Sequence, residues 1–200
     1  MGRMPRTIDH DQRKAQLAEA VWRIVVERGI GAVSVRSVAE EAGVAVGSLR
    51  HVFPTRAQLL EFSAELMVQR ATDRIRALPP SKDDQQYALE VLMQLLPLDP
   101  DSRAELEVNI ALIAGAPALP ELVTIRNHAH QQLGEACTRL LELLRGRPRD
   151  ENILRQARRL HALIDGLALH LVMQPPSEDS GWAIEILREE LAHITPGTTA

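Results

Sequence analysis

Aromatic residues make up 2% of this 200-residue chain, which holds two Trp, two Phe and one Tyr. So small a stock leaves no obvious cage for a quaternary ammonium, a ligand that aromatic faces bind well. Cys137 is the single cysteine, so no internal disulfide can form. It stands inside a helical apolar pattern, which suits a small buried hydrophobe better than a redox thiol, since a reactive cysteine needs a polarising neighbourhood. No apolar run approaches the roughly 18 residues of a membrane span, and the N-terminus lacks the hydrophobic segment of a secretory signal. A cytoplasmic protein with no membrane partner is expected. Alternating strand patterns and internal repeats are missing too. So are a nucleophile elbow, a phosphate-binding glycine loop, a Cys-x-x-Cys pair and a His-Glu-x-x-His helix. The acids and histidines form no catalytic constellation, so neither an enzyme nor a cofactor is expected. His128 and His130, two apart on a helix, point in different directions and make a poor metal pair.

What is present is ample apolar content, 45%, and an uneven charge. The length suits one domain or two small ones. The net charge is −4, yet residues 1–56 hold nine Arg or Lys against six acids, and residues 57–200 hold 14 against 21, giving +3 and −7. A basic head on an acidic body fits a protein that meets phosphates at one end.

The densest local signal lies between Ser34 and Arg56. Val35, Val38, Ala39 and Ala42 recur at helical spacing, Gly43 interrupts them, and Val44, Leu49 and Val52 resume the pattern. Two short helices at a steep angle fit this, with small Ala39 permitting close passage and Gly43 free to take a left-handed conformation. Ser34 is a plausible N-cap, and Thr55-Arg56-Ala57-Gln58 has the form of a capping box. Before this stretch, Leu17, Val21, Ile24 and Val25 mark a helix that stops at Gly29; residues 1–9, with Arg3, Pro5 and Arg6, read as a basic tail. After it, a long helix carries Leu60, Ala64, Met67, Ala71 and Leu78 to Pro79-Pro80. Further helices are expected from Ser81–Asp84, from Asp99-Pro100, after Pro120 with a stripe of Leu122, Ile125, Ala129, Leu133, Ala136, Leu140 and Leu144, from Asp150 with Ile153, Ala157, Leu160, Ile164, Leu167 and Leu171, and from Gly181. Gly166, inside the helix that Asp150 opens, predicts a close backbone contact with another helix.

These residues in detail resemble the helix-turn-helix of the TetR family of bacterial transcriptional regulators. The likeness is carried by Glu27-Arg28-Gly29, Ser34 to Ala39, Glu41 to Val44, Gly47-Ser48-Leu49, and His51 to Arg56 with Leu59-Leu60. Gly47-Ser48-Leu49-Arg50-His51 is similar to a subgroup related to choline-responsive BetI-type repressors. Ala45 stands where Ser is usual, Arg50 where Tyr is usual and Val52 where a second Tyr is frequent.

The resemblance implies an all-α protein of about nine helices. Residues 1–56 would form a three-helix DNA-binding domain with the helix-turn-helix, and residues 57–200 a helical ligand-binding and dimerisation domain. It implies a ligand-responsive regulator, a repressor by family tendency, that binds an inverted-repeat operator in double-stranded DNA as a homodimer through the last two helices. An unidentified small molecule would release it. The groove-facing set is Ala45, Val46, Gly47, Ser48, Arg50 and His51, with Arg36 from the preceding helix and Ser34 at its start. Arg56 and the amides near Thr55 would meet the DNA backbone, while Val38, Ala39, Leu49, Val52 and Phe53 pack inside. Arg36 or Arg50 could bind a guanine edge, Val46 could touch a thymine methyl, and Arg50 could instead hold phosphate. Tyr87, Glu107, Asn109, Arg126, His128, His161 and Asp165 are the polar residues of the body that could line an effector cavity. Two rivals stand beside this reading: an enzyme, and an all-helical ligand-binding dimer whose head no longer binds DNA.

Overall fold

A computed structural model of the chain describes residues 6–117 and 120–194. Among these it forms nine α-helices, one short 3-10 turn at Ile30–Ala32 and no strand. The helices are α1 (Arg6–Arg28), α2 (Val35–Glu41), α3 (Val46–Val52), α4 (Arg56–Arg76), α5 (Asp84–Met93), α6 (Pro100–Gly115), α7 (Glu121–Arg145), α8 (Glu151–Met173) and α9 (Gly181–Ile194). None is long and apolar enough to cross a membrane.

Local chemistry sets most of the helix starts. Asp83 accepts from the amides of Gln85 and Gln86, Asp99 from those of Asp101 and Ser102, and Asp150 from that of Ile153. Thr55 and Gln58 form the reciprocal box that opens α4. Of the tail expected over residues 1–9, residues 1–5 lie outside the described residues, and α1 already begins at Arg6. Only Ile8 is apolar between 6 and 9, so no apolar period marks that turn.

The chain packs as two compact units. The first comprises residues through Arg70 together with Glu107–Asn127. Its core joins Leu17, Val21, Ile24 and Val25 of α1 to Val38, Ala39, Leu49 and Phe53, and to Leu59, Leu60, Ala64 and Met67 of α4. Val108, Leu112 and Leu122 complete it from a remote part of the sequence. Packing thus groups residues differently from the division by role after Arg56. Trp22 donates its indole N–H to the Ser63 carbonyl at 3.1 Å, and the Arg70 guanidinium lies over the Trp22 ring while pairing with Glu19. Gly115 is required by close approach: an added Cβ would stand 3.0 Å from Ile30 Cγ2 and 3.1 Å from Leu122 Cδ1.

The second unit comprises Ala71–Leu106 and the chain from His128 on. Leu89, Leu92 and Leu96 pack with Cys137, Leu140, Leu141 and Leu144 of α7, and with the inner faces of α8 and α9. The stripe expected on α8, from Ile153 through Leu171, is buried throughout. Glu105 is buried and takes both amino groups of Arg74 at 3.0 and 2.8 Å. Arg103 donates to the carbonyls of Leu171, Val172 and Gln174, which closes the C-terminal end of α8, where helical partners run out. A Cβ added at Gly166 meets nothing within 4 Å, so the close helix contact expected there is not made among the described residues.

Candidate nucleic-acid interface

Ser34 opens α2 by accepting from the Ser37 amide at 3.0 Å, while the Ser37 hydroxyl accepts from the Ser34 amide at 2.9 Å. At the other end Gly43 takes φ 65°, its N–H reaches the Glu40 carbonyl, and the Val44 N–H reaches that of Ala39. This is a Schellman closure, and the left-handed position within it suits glycine because it carries no Cβ penalty. The chain leaves α2 sharply and enters α3 after Ala45, which caps it without a side-chain bond.

The two faces of α3 differ. Leu49 is 1% exposed and Phe53, just past the helix, is also buried. Ala45, Val46, Gly47, Ser48, Arg50 and His51 are exposed. Burial of Leu49, worth about 1.5–3 kcal/mol, fixes the rotation of this short helix and therefore which side chains face outward.

Charge on the head is sorted in a way that local sequence does not reveal. Glu41, in the last turn of α2, accepts from Arg23 Nε at 2.8 Å and from Arg28 at 3.1 Å, both on α1. The Arg23 hydrogen bond, with the charges of Arg23 and Arg28, holds the Glu41 carboxyl below its ordinary range. Arg36, Arg50 and His51 make no side-chain hydrogen bond or ion pair among the described residues, and all three are exposed. Three of the expected DNA-facing residues also serve the scaffold. Ser34 and Thr55 are engaged in their capping boxes, and half-buried Arg56 donates to the Ile30 carbonyl at 2.8 Å.

Residues 14–61 match the family described as bacterial regulatory proteins, tetR family, and residues 85–196 match the BetI-type transcriptional repressor, C-terminal. The HTH-type transcriptional regulator PksA of Bacillus subtilis (strain 168) is 35% identical over 185 residues, 86% of this chain and 84% of the relative. The chain belongs to the TetR family. Membership makes it a transcriptional regulator and not an enzyme. Among solved structures, a transcriptional regulator from Rhodococcus sp. Rha1 aligns with a TM-score of 0.76 at 26% identity, over 90% of this chain and 95% of that one. The multidrug binding protein EbrR in complex with malachite green gives 0.68 at 25% identity, over 92% and 98%.

TetR-family members of this kind have a ligand-binding fold, but the seven polar residues expected to line an effector cavity do not gather in one unit. Glu107, Asn109 and Arg126 belong to the first, and Tyr87, His128, His161 and Asp165 to the second. Tyr87 is half-buried against the second core. Arg126 bonds its neighbour Asn127, and exposed His128 meets Gln132 at 3.2 Å. His161 is 7% exposed, with its Nε2 3.4 Å from Asp165 Oδ2. Burial pushes the His161 imidazole pKa down, against the pull of the Asp165 carboxylate, and His130 adds to the lowering. His130, considered from sequence only beside His128, instead stacks on His161 with ring centroids 4.5 Å apart. An exposed histidine 31 positions from its partner leaves no periodic signal.

Proposed function

We propose that this TetR-family regulator is a repressor that binds an inverted-repeat operator as a homodimer and is released by a small molecule. The sorting of charge on the head carries the reading: Glu41 pairs with both Arg23 and Arg28, while Arg36, Arg50 and His51 are exposed and have no side-chain partner among the described residues, with small Gly47 and Ser48 exposed on α3. Phosphate contacts by such cations supply affinity and base-edge contacts supply specificity. Arg36 or Arg50 takes a guanine edge, and Val46, 38% exposed, meets a thymine methyl. Ser34 and Thr55 hold the reading elements in place through their capping boxes, and Arg56 and the amides near Thr55 meet the DNA backbone. By role, the DNA-binding part ends after Arg56 and the remainder binds effector and partner.

The homodimer forms through α8 and α9. Leu154, Leu169 and Met173 on α8 and Ile186 on α9 are exposed large apolar residues, Met173 at 77%, and apolar surface of this kind favours burial against a second copy. Gly166, where an added Cβ would meet nothing within 4 Å among the described residues, lies on the same helix. Repression follows the BetI-type match over residues 85–196. The effector is a small organic molecule, as in EbrR with malachite green; the scarcity of aromatic residues speaks against a choline cage. A regulator of DNA works in the cytoplasm.

A second reading, a ligand-binding dimer with a degenerate head, has one observation in its favour: Ala45 gives α3 no side-chain cap. Selection of bound duplexes from random DNA decides. The repressor reading expects an enriched inverted repeat with half-sites centred about 34 Å apart or a multiple of it. No enriched motif, with only salt-sensitive nonspecific binding, would support the degenerate head.

A further inference from the structure

His130 on α7 and His161 and Asp165 on α8 each bring one potential ligand atom to within 4.8 Å of the others. We infer that these three side chains form a binding site for a divalent transition metal of the zinc class. The site lies within the second unit and does not depend on the operator reading.

Three observations point to a ligand there. His161 Nε2 is buried and has no hydrogen-bond partner among the described residues, although Asp165 Oδ2 lies 3.4 Å away. A buried ring nitrogen left without a partner is costly, and a metal ion on its lone pair removes that cost. The ring is also aimed. One turn after His130, Gly134 leaves room for it: a Cβ there would stand 3.4 Å from His161 Nδ1, so Nδ1 faces α7 and Nε2 faces Asp165. Finally, His130 and Asp165 are exposed, so their side chains can close from the present spacing onto an ion bonded at about 2.0–2.2 Å.

The donor set selects the class of ion. Two imidazoles and one carboxylate suit Zn²⁺, Co²⁺ or Ni²⁺; calcium and magnesium want more oxygen ligands than this cluster has. Three protein ligands leave a coordination position for water on the exposed side.

The test uses untagged full-length protein, stripped with chelator and desalted, then titrated with Co²⁺ followed by visible absorbance and with Zn²⁺ by calorimetry. One ion per chain is expected. His130→Gln and Asp165→Asn, both at exposed positions, should each weaken binding about tenfold or more. His128→Gln, on the same helix but bonded to Gln132, should leave it within about twofold. Absence of binding by the parent chain, or equal affinity in the His130 and Asp165 variants, overturns the site. Circular dichroism of each variant confirms that weakened binding is not loss of fold.

Discussion

Glu41 and Arg23 meet through a 2.8 Å hydrogen bond that ties the last turn of α2 to α1. The same carboxylate takes Arg28 at 3.1 Å, so two cations of the head are held by one acid. α2 gains a brace, and Arg36 on α2 and Arg50 on α3 are left without a side-chain partner among the described residues.

Several such carboxylates make the fold acid-sensitive. Hydrogen bonds from Arg23 lower Glu41, those from Arg149 lower Glu135 and Glu142, and the Ile153 amide lowers Asp150. A carboxyl whose folded pKa lies below its unfolded value contributes fully above the unfolded value, roughly pH 4, and loses that contribution as pH falls through the folded one. Calorimetry should therefore show Tm falling steeply only below about pH 4. The Glu135→Gln, Glu142→Gln double variant should have a lower Tm at neutral pH and a shallower acid limb.

Gly43→Ala forces a Cβ onto a residue at φ 65°. The expected cost is about 1–2 kcal/mol, read by urea unfolding, although nothing lies within 4 Å of the added atom. A neutral result would mean that the turn between α2 and α3 is not held in that conformation.

Ala45→Ser should act in the opposite direction. Ala45 is extended at the N-cap of α3 and offers no acceptor, so a serine hydroxyl there can take an amide of the first turn. A gain of about 0.5–2 kcal/mol is expected from urea unfolding. No gain would show that α3 is held by Leu49 and Phe53 alone.

Cys137 is buried, and burial, with the Asp165 charge adding to it, pushes its thiol pKa up to about 12. The native protein should be inert to a thiol reagent near neutral pH, with labelling only as fast as the chain unfolds. Labelling of the folded chain at the rate of a free thiol would contradict this burial.

The parts legible from sequence were those set by neighbours in the chain. Ser34, Asp99 and Asp150 cap through amides two or three residues on, and Gly43 turns the chain through bonds to Ala39 and Glu40. Apolar period likewise located Leu49 and the buried stripe of α8. Long-range pairings were not legible. Glu41 finds Arg23 across 18 positions, Arg103 reaches α8 across about 70, and residues 107–127 join a core otherwise built before Arg70. Cys137 was legible as a small buried hydrophobe and is fully buried; Leu141, one turn on and equally buried, was outside the expected stripe because α7 packs on a wider face than one row of residues. The outward-facing residues of α3 could be named because the family motif sets their register, whereas the residues expected to line an effector cavity have no comparable pattern and divide between two units.

The most direct test is to measure affinity for the selected operator, across a salt series, for Arg36→Ala, Arg50→Ala and Arg23→Ala. The account predicts that the first two each lose binding. Where the lost contact was to a guanine, the loss is about 1–3 kcal/mol at one base pair; where it was to phosphate, all sequences weaken together and the salt slope falls by about 1. Arg23→Ala should lower Tm and leave the affinity of the folded protein nearly unchanged. Full affinity in both the Arg36 and Arg50 variants, with loss in Arg23→Ala instead, would contradict the assignment of α2 and α3 as the surface that reads DNA.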